Sequence, residues 1–171
     1  MEKKVELWDA YNEDGTKAGF DLVRGEDIPK GYFHAVAEVF VMHEDGDILV
    51  MQRDFSKPNS PGKFETGGGG SVLKGETFYE GAVRELFEET GVKATELTEL
   101  YHEVSGECIY QGYLCITDMN KDDIVLQEGE TIGYRWLSKE DFLEVYYSDM
   151  YLNHLRRYLK EFVIDRKFGM E

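Results

Sequence analysis

The sequence predicts a mixed α/β domain, a sheet layered between helices, and three observations carry that expectation. Apolar runs of strand length are joined by Asp-Gly turns at Asp14-Gly15 and Asp45-Gly46. One stretch, Thr77 to Gly91, has helical spacing with its own start and stop residues. Past Leu137 the spacing becomes helical again.

The elements follow in order. Val5, Leu7 and Trp8 precede the turn at Asn12–Gly15, and Phe20, Leu22 and Val23 follow it, so an amino-terminal hairpin is expected within an extension over residues 1–31. After a loop with Pro29, Phe33 to Met42 has few polar breaks and reads as a strand buried on both faces. A turn at His43–Asp47 leads to a return strand, Ile48 to Arg53. Asp54 to Lys63, with Pro58 and Pro61, reads as a loop, and Phe64 leads a short strand into a glycine-rich loop at Gly67–Gly70. Thr77 starts the central helix and Gly91 stops it. Leu97–Val104 and Cys108–Thr117 form a second hairpin, and short strands at Ile124–Gln127 and Ile132–Leu137 flank the acidic loop Glu128–Glu130. Ser138 with Asp141 caps a short helix, and Ser148 caps a final one, about Asp149 to Asp165, so residues 138–171 are read as carboxy-terminal helices.

At 171 residues the chain suits a single domain over 1–171 with a real core, and 42% hydrophobic with 13% aromatic residues place it among globular proteins. No apolar run reaches the length of a membrane span, and the first residues lack a secretory signal, so a cytoplasmic protein is expected. Acidic residues number 35 against 19 basic, a formal charge of −16. That field repels nucleic-acid polymers and anionic membranes, while a small anionic substrate stays compatible because a metal ion reverses the local potential. Cys108 and Cys115 lack CxxC spacing and read as core or surface thiols.

The chemistry gathers on the central helix. Glu85, Glu88 and Glu89 stand at i, i+3 and i+4 and point to one side, with Tyr79, Val83, Leu86 and Phe87 expected to pack the other side onto the core. Three like charges so close repel unless a hard divalent cation lies among their oxygens, so the spacing predicts a metal site.

The same residues complete a longer pattern, G-x5-E-x7-R-E-U-x-E-E-x-G-U with U aliphatic, filled by Gly70, Glu76, Arg84, Glu85, Leu86, Glu88, Glu89, Gly91 and Val92. This resembles the Nudix box. The resemblance, strongest from about His34 to Leu137, implies an α-β-α sandwich with a mixed sheet, here with an amino-terminal β-hairpin and a carboxy-terminal helix added. It also implies hydrolysis of a diphosphate bond in a nucleoside diphosphate linked to another moiety, by water, with Mg2+ or Mn2+. Carried over by position, Glu85, Glu88 and Glu89 correspond to metal ligands, with the Gly69 carbonyl as another, and Arg84 and Glu76 to the pair that orients them. The general base is then either a box glutamate or one from a later loop, where Glu130 is the candidate and Glu128 the fallback. Related proteins often dimerise, so the resemblance implies a homodimer.

Outside the box, Arg53 is placed at a strand end from which it can clamp a phosphate. Phe64, Tyr110 and Tyr113 can stack on a base or fill the core, and Phe64 is the candidate substrate contact among them. His34, at a strand start, reads as a hydrogen-bonded core histidine.

The stretch from His34 through Ser56-Lys57 and Pro61-Gly62 is similar to isopentenyl diphosphate isomerases and their hydrolase relatives, which makes an isomerase the rival reading. Those isomerases use a cysteine in the loop before the helix, where this chain has Gly69, and tend to lose the complete box. Hydrolysis is favoured on both counts. The proline typical of ADP-ribose enzymes is missing, and Tyr110 lies near the offset of a tyrosine in dinucleoside polyphosphate hydrolases, although 11 tyrosines make that match uninformative. A third reading is a diphosphate-binding Nudix domain without turnover, which usually shows a broken box.

Overall fold

The computed structural model describes residues 5–152 and residue 160. The expected hairpin forms from β1 (Leu7–Tyr11) and β2 (Lys17–Val23), antiparallel with Leu7 opposite Val23. The Asp14 carboxylate closes its turn by accepting from the Thr16 amide and hydroxyl at 3.0 and 2.6 Å.

The main sheet is built from β3 (His34–His43), β4 (Ile48–Arg53), β5 (Phe64–Thr66), β6 (Gly68–Ser71), β7 (Thr98–Ser105), β8 (Cys108–Thr117) and β9 (Thr131–Leu137). Helix α1 (Phe78–Thr90) lies between β6 and β7 in the chain, and α2 (Lys139–Tyr147) follows β9. Strand β3 is central. It runs parallel to β8 along its whole length, from His34 opposite Cys108 to His43 opposite Thr117, and antiparallel to β6. Only Met42 opposite Ile48 joins β3 to β4, after which β4 pairs with β5 and β9. The sheet is therefore mixed.

Alternation along the strands divides two cores. Ala35, Ala37, Val39 and Val41 of β3, with Leu49 and Met51 of β4, face Ala82 and Leu86 of α1. Phe40, Ile48 and Val50 face the other way, onto Phe142 and Tyr146 of α2. Both faces of β3 and β4 are thus covered, as their unbroken apolar runs require. A third, small cluster of Trp8, Ala10 and Leu22 packs the hairpin against Leu73, just ahead of α1.

Five local expectations change. The glycines at 68–70 are not loop but strand β6, pressed between β3 and α1: a Cβ on Gly69 would lie 2.8 Å from the Ala37 carbonyl oxygen and one on Gly68 3.0 Å from the Glu89 carboxylate. At Gly67, with φ +63°, a Cβ would lie 1.9 Å from the Val39 carbonyl oxygen. Helix α1 buries Gly81, Ala82, Leu86, Glu89 and Thr90, whereas Tyr79 and Phe87 are 43% and 50% exposed. The small residues let α1 approach β6, and the buried face includes a carboxylate that the apolar stripe did not anticipate. Residues 124–127 form no strand; they follow a single 3-10 turn at Lys121–Asp123. Ser148 ends α2 instead of starting a helix, its hydroxyl donating to Val145 O at 2.7 Å. Residues 149–152 lie beside β5, with Phe64 N donating to Met150 O and Leu152 N to Phe64 O. The rest of the expected final helix falls outside the described residues, apart from residue 160.

Candidate active site

Helix α1 is set against β6 by its ends. Thr77 Oγ1 accepts from Glu80 N while the Glu80 carboxylate accepts from Thr77 N, a reciprocal cap, and Gly91 in the left-handed region returns its N–H to Phe87 O. With both ends fixed, Arg84, Glu85 and Glu89 project over the glycines. Gly70 is required here by close approach: a Cβ on it would sit 2.6 Å from the Glu85 carboxylate.

Arg84 is the hub. Its Nε and Nη2 donate to the two oxygens of Glu76 at 2.7 and 2.9 Å, Nη1 to Glu85 at 2.8 Å and Glu88 at 3.3 Å, and Nη2 also to Ser71 O at 3.0 Å. The Arg84 hydrogen bond holds the Glu76 carboxyl below its ordinary range, and the surrounding carboxylates raise the proton affinity of Arg84 itself. Glu76 is further positioned by the Leu73 amide at 2.9 Å. Burial pushes the Glu85 carboxyl up against the opposing pull of Arg84. Glu89, 8% exposed, is raised well above a normal carboxyl, first by burial and then by Glu65; the Gly69 N–H, donating at 2.9 Å, offsets this only in part.

These groups line a polar pocket of about 410 Å³, together with Arg53, Lys57, Gln127 and Glu130 from the loops and Glu6 and Arg24 from the hairpin. Of the site residues expected from the sequence, Glu85, Glu88, Glu89, Arg84, Gly69, Gly70, Arg53 and Glu130 all border it, and Glu76 stands behind Arg84. Glu130 is paired with Lys57, and its carbonyl accepts from Asp54 N at 2.9 Å, tying the two loops together. Glu128 is exposed and does not line the pocket.

Two expectations are revised. Phe64 does not reach the pocket: it is 7% exposed in the α2-side core, with the Arg135 guanidinium 5.1 Å from its ring centre. Arg53 does reach it, but its guanidinium is already held by Glu65 at 3.0 and 3.2 Å and by Asn59 O at 3.2 and 3.3 Å. His34 is half-buried, stacked on Trp8 with ring centres 4.4 Å apart and with Cys108 Sγ 3.7 Å from its Nδ1. Sequence reasoning misses Glu65 of β5 and Glu6 and Arg24 at the open end of the hairpin, which come from elsewhere in the fold and carry no local signal. Lys57 carries one, its place beside Ser56 in the stretch similar to the isomerases.

Among the described residues no three acidic or imidazole side chains converge as a ready coordination shell. Arg84 holds Glu85 and Glu88, and the Gly69 amide holds Glu89. The donor chemistry nonetheless fits a hard divalent cation. The donors are all oxygens, and burial leaves Glu85 and Glu89 with raised proton affinity, which a cation relieves.

A family model described as the NUDIX domain matches residues 32–159. The chain belongs to the Nudix family. An uncharacterised Nudix hydrolase of Listeria monocytogenes is 33% identical over 142 residues, covering 80% of this chain and 82% of that one. The isopentenyl-diphosphate Delta-isomerase of Streptomyces coelicolor is 32% identical over 93 residues, covering 54% of this chain and 47% of its own. Among solved structures, DR0079 of Deinococcus radiodurans superposes with a TM-score of 0.75 at 21% identity, covering 92% of this chain and 99% of that one. The α-β-α sandwich is thus the Nudix fold, with the amino-terminal hairpin added ahead of it, and the chain is a Nudix hydrolase of diphosphate-containing substrates. Among the described residues no helix is long and apolar enough to cross a membrane.

Proposed function

We propose that this Nudix hydrolase is divalent-metal dependent and cleaves a diphosphate bond in a nucleoside diphosphate linked to another moiety, by attack of water on phosphorus. The observation that carries the reading is the Arg84 hub: one guanidinium orients Glu76, Glu85 and Glu88 beside the buried Glu89, at the base of a polar pocket. Glu85, Glu88, Glu89 and the Gly69 carbonyl would hold Mg2+ or Mn2+. Such an ion, when bound, neutralises charge on the diphosphate and makes water a better nucleophile.

The chain's own residues do the rest. Arg84 and Glu76 keep the carboxylates in fixed rotamers, so little reorganisation accompanies the reaction. Glu85, whose burial raises its proton affinity, is suited to taking the proton of the attacking water. Glu130 is the second candidate for that role, and its pairing with Lys57 keeps it at the pocket wall. Lys57 and Arg53, already paired with Glu130 and Glu65, lower the negative potential of the pocket wall without being free to take the substrate's phosphates. The isomerase reading has the Streptomyces coelicolor relative behind it but is disfavoured because neither Cys108 nor Cys115 lines the pocket.

The test is incubation with Mg2+ and then Mn2+ against nucleoside triphosphates, nucleotide sugars, dinucleotides, coenzyme A and isopentenyl diphosphate. Release of phosphate or a nucleoside monophosphate from one class, lost in Glu88→Gln and Glu89→Gln variants that still fold, is expected. Isomer formation without phosphate release, or wild-type protein inert towards the whole panel, overturns the proposal.

A further inference from the structure

The amino-terminal hairpin is fixed to the loop that leads into the box. Lys74 N donates to Leu7 O and Gly75 N to the Asp9 carboxylate, both at 2.9 Å, and Trp8, stacked on His34, packs beside Leu73. Its open end therefore has a set position, and that end places Glu6 and Arg24 on the pocket wall. The Trp8 indole donates to one Glu6 oxygen at 2.8 Å and Arg24 to the other at 2.9 Å, while Arg24 N donates to Glu6 O at 3.0 Å.

Among the described residues four cationic side chains line the pocket, and three are held by partners that shield them from solvent. Arg84 serves Glu76, Glu85 and Glu88, Arg53 serves Glu65 and Asn59 O, and Lys57 serves Glu130. Arg24 differs: among the described residues it makes one side-chain ion pair, to Glu6, and it is 61% exposed, so most of its five N–H donors have no protein acceptor. Among the described residues the pocket also carries five carboxylates, so an anionic substrate needs a cation with free donors to offset them, and Arg24 is the one with most of its guanidinium open to solvent.

We infer that Arg24 is a substrate-binding residue, its guanidinium taking phosphate oxygens of the diphosphate from the hairpin side of the pocket, so that the hairpin forms part of the active site. The inference rests on the proposed diphosphate chemistry of this pocket. It assigns Glu6 the role of holding Arg24 in place at the cost of competing with the substrate for it.

The test is calorimetric binding of methylenediphosphonate, a diphosphate whose bridge resists hydrolysis, in the presence of Mg2+, to wild-type, Arg24→Gln, Arg24→Lys and Glu6→Gln proteins with melting curves alongside. Arg24→Gln is expected to weaken binding about tenfold without lowering Tm, as loss of a charge-assisted contact does, and Arg24→Lys to restore part of it. Glu6→Gln is expected to tighten binding, and the differences shrink at about 0.5 M salt because Arg24 is exposed. Arg24→Gln binding within twofold of wild type, weaker binding by Glu6→Gln, or no binding by the wild-type protein would each overturn the inference. A wild-type protein that binds the probe through Arg24 yet hydrolyses nothing in the panel overturns only the hydrolase proposal.

Discussion

Replacing Gly70 by Ala tests whether the placement of Glu85 matters to the chemistry. The new Cβ would lie 2.6 Å from the Glu85 carboxylate, and ordinary contact begins near 3.4 Å, so Glu85 must withdraw by about 0.8 Å. The obstruction is the far end of a flexible side chain, which the fold absorbs at about 1 kcal/mol, or a Tm lower by about 2–4 °C. The chemistry is less tolerant: a misplacement near 1 Å costs roughly 100-fold in rate. Gly67→Ala provides the contrast, since its Cβ would meet the Val39 carbonyl at 1.9 Å from a backbone at φ +63°, where nothing soft can yield. That variant should lose about 3 kcal/mol or more. Melting curves and steady-state rates on the substrate found in the panel separate the two effects. A Gly70→Ala protein with wild-type kcat/KM, or one as unstable as Gly67→Ala, refutes the reasoning.

Glu89→Gln removes a buried charge while its amide oxygen can still accept from Gly69 N–H, so without metal its Tm should rise by about 2–4 °C, roughly 1 kcal/mol. The same variant should lose both turnover and the Tm increase that millimolar Mg2+ produces in the wild type, whereas a full Mg2+ response in the variant would remove Glu89 from the ligand set. Phe64→Leu should lower stability by about 1 kcal/mol and leave KM unchanged, because Phe64 is core; a raised KM would return it to the substrate site. Cys115 is fully buried with its thiol pushed up to about 11, so at pH 8 it should escape alkylation in the folded protein and react only on unfolding, as mass spectrometry would show.

What was legible in the sequence was mostly local. The Asn12–Gly15 turn, the Thr77 and Ser138 caps and the Gly91 stop depend on chemistry between residues two to four apart, and all appear where expected. The box placed Arg84, Glu85, Glu88 and Glu89 together on one pocket for the same reason. Strand β6 was illegible because glycine has no strand preference of its own; pairing with β3 alone makes it one. The buried face of α1 departs from the apolar stripe because close approach to the sheet favours Gly81 and Ala82 over the larger Tyr79 and Phe87. Phe64, Arg53 and Arg24 depend on partners beyond the reach of local spacing, Arg135, Glu65 and Glu6, which only the folded sheet and hairpin bring beside them.

The pairing of β3 has a consequence for how the chain acquires its shape. Its nearest neighbour in sequence, β4, gives it a single partner residue, while its full-length partner, β8, ends at Thr117. A growing chain therefore carries its most apolar strand with an open edge until most of the domain has been synthesised, and such distant pairing slows folding. Fragments that end before Cys108 should aggregate through that edge, and in the finished protein the amides of β3 should be among the last to exchange with solvent.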